Sequence, residues 1–440
     1  MKFLQHKLTK DIAWTMGCLV VLAASGILIN LIIAHLRDVD SLGVFNQVYA
    51  IYIVASQFAV FGLQYSVLRH AALYDSDEAE RGKMLVNAGA SVLLLGACAA
   101  ISVYLAAPLF GRFLESTAVE DAICYAAPGL LLFPLNKVLL AYLNGLRRAK
   151  AYSVLQSGRY LLVTLWVAAL SASPYPFEYA TLGFFVAELV TTAGVYFYLL
   201  FRNMLPILRF DPAWTRRNFA FGGKSMLAGI FVEMNSRIDV LLVGFFLPDR
   251  EVGIYSFAAM LVDGLYHVLA FIRLNYNPLL VGYIRDSDWA GAKRLLVQTK
   301  RYVLPVAVLL SLSVLAVFVI LTTVIVPEKG LDQGLLALSI LIAGMTLVSV
   351  FIPFDNLMLV SGHPGYQTMQ NMIIVLTTIV MNTALIPLLG INGAAIAMAL
   401  GYISGVSVLV YLVSRFLGWN LLTNLVTDRT SQGFAGGARD

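Results

Sequence analysis

Residues 219–247, FAFGGKSMLAGIFVEMNSRIDVLLVGFFL, are apolar enough for a bilayer, yet Glu233, Arg237 and Asp239 sit near their middle. As one helix these roughly 29 residues would run about 43 Å, more than the hydrocarbon core requires. Each charge at bilayer depth costs at least about 2.5–3.5 kcal/mol, so three of them belong in a bundle interior or a water-filled chamber. The i, i+4 spacing of Glu233 and Arg237 lets them neutralise each other on one face of a helix. Asp239 points elsewhere and needs another partner. The stretch therefore reads as the wall of a polar chamber in a transport protein.

Other ionisable residues fall inside apolar stretches: Lys137, Arg159, Glu188, Lys224, Asp263, His267, Arg273 and Asp355. Intramembrane charges are functional candidates, and the alternative for each is a buried pair that holds two helices together. Asp263 and His267, again i, i+4, could relay protons or simply share a hydrogen bond. Arg237, Arg273 and Arg69 could form a ladder of cations for an anionic headgroup, because the planar guanidinium donates two parallel hydrogen bonds to phosphate. Arg69 could equally snorkel to lipid phosphates. No nucleophile elbow, zinc-protease, P-loop or C-x-x-C motif is present. Cys18, Cys98 and Cys124 each lie in an apolar segment, as small hydrophobes do. The sequence gives no reason to expect a cofactor, a metal or a nucleic-acid partner.

Hydrophobic residues make up 60% of the 440 and charged residues 12%, about half the charged share of a soluble domain. The chain reads as an all-α polytopic membrane protein. Twelve spans are expected: 12–34, 42–66, 84–108, 122–143, 152–171 and 179–201 in the first half, then 219–247, 251–280, 303–326, 334–358, 367–389 and 391–416. The basic N-terminus leads into the first of these and lacks a cleavage site, so it is read as a transmembrane helix rather than a signal peptide. The connection 281–302, with Trp289, Leu295 and Leu296 among basic residues, reads as a short interfacial helix. In-span prolines at 128, 134, 278, 305, 353 and 387 predict bends.

With these spans, 21 of the 30 Lys and Arg residues lie on one side, at the termini and in the even-numbered loops. Four lie on the other side, Arg37, Arg112, Arg250 and Lys329, and five lie within spans. Basic loops stay in the cytoplasm, so both termini are expected there. The chain also repeats itself: DSDEAERGKMLVN at 75–87 matches DSDWAGAKRLLVQ at 286–298 in six of thirteen positions. Leu42-Gly43-Val44-Phe45 likewise matches Val252-Gly253-Ile254-Tyr255, and Asn144-Gly145 falls where Ser361-Gly362 does. An offset of about 210 residues is six helices, which makes the repeats parallel. The expected organisation is a lobe over 1–205, a second over 206–416, and a cytoplasmic tail over 417–440. The binding cleft should lie between the lobes.

Several segments carry a resemblance to a known family. These are Arg237-Ile238-Asp239-Val240-Leu241-Leu242-Val243-Gly244, Val252 through Ala258, Asn277-Pro278, Asn382 through Pro387, and Gly390 through Ala397. The chain resembles the polysaccharide transport branch of the MATE-like MOP superfamily, the O-antigen-type flippases. That resemblance implies two six-helix lobes around a V-shaped, cationic central cavity in the bacterial inner membrane. It implies alternating access that flips an undecaprenyl-pyrophosphate-linked oligosaccharide, with H+ or Na+ antiport and polysaccharide polymerase or assembly proteins as partners. It also implies a cavity role for Arg237. Twelve helices rather than fourteen set the chain apart from the lipid II flippases. The competing readings are a multidrug or small-cation antiporter of the same fold, a membrane-embedded glycosyltransferase or ligase, and a scaffold in polysaccharide assembly. Unpaired cavity carboxylates would favour the antiporter, and unpaired cations the flippase.

Overall fold

A computed structural model describes residues 2–205, 209–327 and 329–426. The first half holds α1 (Lys2–Leu36), α2 (Val39–Val60), α3 (Leu63–Leu73), α4 (Glu78–Phe113), α5 (Thr117–Ala126), α6 (Gly129–Gly145), α7 (Ala149–Ser171) and α8 (Leu182–Phe201). The second holds α9 (Pro212–Asn235), α10 (Ile238–Phe246), α11 (Asp249–Arg285), α12 (Trp289–Ile320), α13 (Leu335–Val348), α14 (Leu357–Val360), α15 (Pro364–Leu389), α16 (Ile391–Leu417) and α17 (Leu421–Val426). Of the tail expected over 417–440, residues 427–440, with Arg429 and Arg439, lie outside the described residues, as do 206–208 at the expected boundary between the halves.

Among the described residues, ten helices are long and apolar enough to cross a membrane, and α5 with α6, bent by 50°, makes an eleventh. The bend falls at Ala127-Pro128, where proline cannot continue the α5 hydrogen-bond ladder. The seventh expected span, 219–247, is not one helix: α9 stops at Asn235 and α10 starts at Ile238. The expected span 42–66 is broken as well, at Phe61 and Gly62, both at positive φ. The connection 281–302 is no separate interfacial helix, since its basic residues continue α11 and form the first turns of α12. Large apolar side chains such as Leu94, Leu105, Leu309 and Leu388 face outward and polar ones such as Gln47, Asn136 and Asn382 face inward. This is the inversion that a lipid solvent selects.

The internal repeat is realised in the structure. Asp77 caps α4 by accepting from the Glu80 N–H, and Asp288, its counterpart in the second copy, caps α12 by accepting from the Gly291 N–H. The bundles touch where α2 crosses α11. A Cβ on Gly43 would run into the Asp249 carbonyl, and one on Gly253 into the Val39 carbonyl. The two contacts are the same contact seen from each copy, because 39 and 43 stand 210 residues before 249 and 253. One turn deeper, Asn46 Nδ2 donates to Ser256 Oγ at 2.9 Å across that same separation of 210. A hydrogen bond between repeat-equivalent residues can form only beside the pseudo-two-fold axis.

This crossing closes one end of the molecule. Asp249 accepts from Gln47 and from Ser116, each at 2.6 Å. Three of the four cations on that side are held by backbone carbonyls: Arg37 donates to Leu170 and Tyr175, Arg250 to Lys329, and Lys329 to Arg37. The end carrying most Lys and Arg, here called the basic end, is where α9 lies against α3, α4 and α15. A Gly43→Ala variant is expected to lower the thermal stability of the detergent-solubilised protein by about 1–3 kcal/mol, the range for overpacking. Gly17→Ala, whose Cβ would meet nothing within 4 Å, should leave the melting curve unchanged.

Candidate functional site

A cavity of about 1050 Å³ lies between the bundles. Its lining runs from Asn46 and Ser256 at the closed crossing to Leu68, Asn144, Leu359 and Pro364, within a few residues of the helix ends at the basic end. Access is therefore from the basic end, and the α2–α11 crossing is the floor. Nine charged side chains line it: Lys137, Arg159, Arg237 and Arg273, with Glu188, Glu233, Asp239, Asp263 and Asp355. His267 lines it too. Arg69 and Lys224 do not, and Arg69 instead lies over the Phe221 ring at 5.1 Å.

The expected ladder of Arg237, Arg273 and Arg69 is thus not formed. Arg273 donates to Asp355 at 2.9 Å and to the Tyr266 hydroxyl at 3.1 Å. Asp355 is not on a transmembrane helix as expected; it follows a short 3₁₀ turn, Ile352–Phe354, that interrupts the chain after α13 where Pro353 cannot extend a helix. Arg159 pairs with Glu188 at 3.1 Å, both nearly sealed from solvent, and stacks on Phe133 and Tyr160 at 4.8 Å. Asn136 supplies Glu188 with a further donor at 2.7 Å. Charges so deeply buried persist because further hydrogen bonds support the pair, here from Asn136 to Glu188 and from Arg159 to the Tyr160 hydroxyl at 2.9 Å.

The break between α9 and α10 redirects the central charges. Neither Pro nor Gly occupies 235–237. Instead Ser236 turns its hydroxyl back onto the Glu233 carbonyl at 3.0 Å, and its N–H bonds the same oxygen. Such side-chain bonds offer the backbone an alternative to the helical ladder. Glu233 therefore does not face Arg237 one helical turn away. It accepts from Gln57 on α2 at 3.1 Å and lies 3.6 Å from Lys137 on α6. Asp239 accepts from the Tyr255 hydroxyl and the Val240 N–H, each at 2.8 Å. Arg237 lies over the Tyr49 ring at 5.1 Å, and among the described residues it has no carboxylate within 4 Å. Asp263 has no cation within 4 Å among them either. Asp263 and His267 both line the cavity but make no hydrogen bond to each other among the described residues.

A search confined to ionisable side chains passes over Gln57, Asn136 and Gln370. All three are buried, and each donates to a cavity carboxylate, Gln370 to Asp355 at 2.8 Å. Their signal in the sequence was an amide inside an apolar span. Aromatic rings that carry the cations, Tyr49 and Phe133 above all, gave no signal beyond composition.

The family model described as polysaccharide biosynthesis protein matches residues 8–274. The chain belongs to that family. Its fold is that of the MATE-like MOP superfamily. The lipid II flippase MurJ in an inward closed conformation superposes with a TM-score of 0.71 at 14% identity, over 96% of this chain and 94% of that one. An inward-facing multidrug resistance MATE family transporter of the MOP superfamily gives 0.70 at 13% identity, over 92% and 96%. An outward-facing one gives 0.60 at 13% identity, over 96% and 97%. No curated protein matches the chain. The fold is one that membrane transporters share.

The Arg159–Glu188 pair gives a direct test of whether buried charge holds the first bundle together. Arg159→Met leaves Glu188 without its counter-charge and is expected to cost about 3–5 kcal/mol, read as a lower melting temperature and lower folded yield in detergent. The double variant Arg159→Met/Glu188→Leu should recover most of that loss.

Proposed function

We propose that the protein is a flippase that carries an undecaprenyl-pyrophosphate-linked oligosaccharide repeat unit across the bacterial inner membrane, for O-antigen, capsule or exopolysaccharide assembly. The observation that carries this reading is Arg237: among the described residues it is the one cavity-lining cation with no carboxylate within 4 Å, and it sits at the break in the membrane-embedded stretch 219–247. Broken helices near the midplane mark substrate sites in transporters built from repeats. A guanidinium already desolvated on an aromatic face is well suited to take a diphosphate.

The rest of the lining fits a sugar. Tyr49, Phe133, Tyr152, Tyr160 and Tyr266 offer faces for stacking, and Gln156, Asn235, Gln367 and Asn371 offer donors and acceptors for hydroxyls. The charge bias of the loops supports a cytoplasmic basic end and cytoplasmic termini, and the cavity then opens toward the side on which the lipid-linked unit is made. The segments 1–205 and 206–416 are the units that rock about the α2–α11 crossing. Asp239 and Asp263 are the groups through which H+ or Na+ could drive the cycle, and polymerase or assembly proteins are the partners that would take the product. The lining as a whole is not cationic, with four cations to five carboxylates. Asp263, free of any cation within 4 Å among the described residues, is what favours the second reading, an ion-coupled antiporter of cationic small molecules.

A deletion strain separates the two. Under the flippase reading it loses surface polysaccharide and accumulates lipid-linked repeat units inside. Arg237→Ala, at normal membrane levels, is expected to restore about tenfold less surface polymer than the wild type, the consequence of losing a charge-assisted hydrogen bond of about 1.5–3 kcal/mol. Arg237→Lys should restore part of it. Unchanged polysaccharide with heightened sensitivity to cationic drugs would replace the flippase by the antiporter.

A further inference from the structure

The three ion pairs that line the cavity differ in what they join. Arg159–Glu188 lies within the first bundle, between α7 and α8, and Arg273–Asp355 lies within the second. Lys137–Glu233 runs from α6 to α9, and Gln57 of α2 donates to the same Glu233 oxygen. Among the described residues it is the only one of the three that ties a helix of the first half to a helix of the second. It is also the longest, at 3.6 Å against 3.1 and 2.9 Å. Both its side chains keep solvent access, 23% for Lys137 and 34% for Glu233, somewhat more than the 19% and 29% of Arg273 and Asp355 and far more than the 8% and 4% of Arg159 and Glu188. A loose, accessible pair of this kind can be opened by a competing anion, while the sealed pair beside it cannot.

Resting on the flippase reading, we propose that Glu233 is an internal stand-in for the substrate's diphosphate: it holds Lys137 and Gln57 until the diphosphate displaces it, and its release frees the C-terminal end of α9 from the first bundle, while Trp214, Thr215 and Asn218 keep the N-terminal part bonded to Glu80, Asn87 and Ser66. A lysine suits the exchange because its ammonium is a point charge on a flexible stem, with no fixed fork to match. A diphosphate carries more charge and more acceptor oxygens than a carboxylate, and Arg237, four residues beyond Glu233 and across the helix break, is at hand for the rest of it. Glu233 is then the position through which occupancy of the cavity is felt by the contact between the halves. Equilibrium can shift between two arrangements only through such a difference in contacts.

The test is titration of the full-length protein in detergent with farnesyl diphosphate, with farnesol as the uncharged control. Glu233→Gln keeps an acceptor for Gln57 and frees Lys137, so it should bind farnesyl diphosphate more tightly than the wild type, on the order of five- to tenfold, the lower end of coupling between sites. The gain should vanish in Glu233→Gln/Lys137→Gln. Hydrogen exchange on the unaltered protein supplies a second readout: farnesyl diphosphate should speed exchange at 232–236. Unchanged or weaker binding by a normally folded Glu233→Gln, a gain that survives loss of Lys137, or slowed exchange at 232–236 would each overturn the role of Glu233 while leaving the flippase reading intact. Wild-type protein that binds farnesyl diphosphate no better than farnesol would overturn the flippase reading itself, and the stand-in with it.

Discussion

Two glycines set how close the halves of this protein come. At Gly43 and Gly253 the backbones of α2 and α11 pass with no room for a side chain, and each glycine abuts the carbonyl one turn earlier on the opposite helix. Everything at the closed end follows from this approach. Asn46 can reach Ser256 and Gln47 can reach Asp249 because the helix axes are that near. The cavity lies beyond this crossing, and the halves meet again nearer the basic end, where Gly62 and Gly222 bring α3 and α9 together. Close backbone contact at small residues is how helices associate where lipid leaves little hydrophobic drive.

Above that floor, the polar groups divide the work. Arg159 with Glu188, and Arg273 with Asp355 and Gln370, are compensated networks inside one bundle each. The break at Ser236 and Arg237 does something else. It sends the Glu233 side chain to the first bundle, points Asp239 at Tyr255, and leaves Arg237 on a ring. A straight helix would have paired Glu233 with Arg237 and quenched both. One local departure from helical geometry thus converts a self-neutralising pair into three groups with three separate environments.

The fold was legible in the sequence to the extent that its signals are long. Apolar runs of twenty residues and a repeat offset of six helices survive local errors. The Gly43 and Gly253 landmarks were visible as a repeat, though nothing in the sequence said that they touch. The breaks were harder. Gly62 is an ordinary breaker inside an apolar run, whereas the break at 236 has neither Gly nor Pro and depends on a serine hydroxyl competing for a carbonyl. The site suffered accordingly. Residue types placed Lys137, Arg159, Glu188, Arg237, Asp263 and Arg273 in the interior, and they do line the cavity. Their partners could not be read, because pairing depends on helix rotation and on amides and rings that carry no charge signal. Arg69 shows the converse: a cation at a helix end whose neighbour, Phe221, lies far along the chain and turns it away from the cavity.

The break also makes the two copies of the repeat unlike. α1 runs unbroken from Lys2 to Leu36 and packs on α7; its counterpart in the second copy is split into α9 and α10, which pack on α15. Two identical halves around a two-fold axis would offer any guest two equivalent ways to lie in the chamber. Distorting one copy removes that degeneracy, so a bound molecule has a head and a tail direction fixed by the protein. In this fold, asymmetry between duplicated halves is what gives an otherwise palindromic vestibule a sense of orientation.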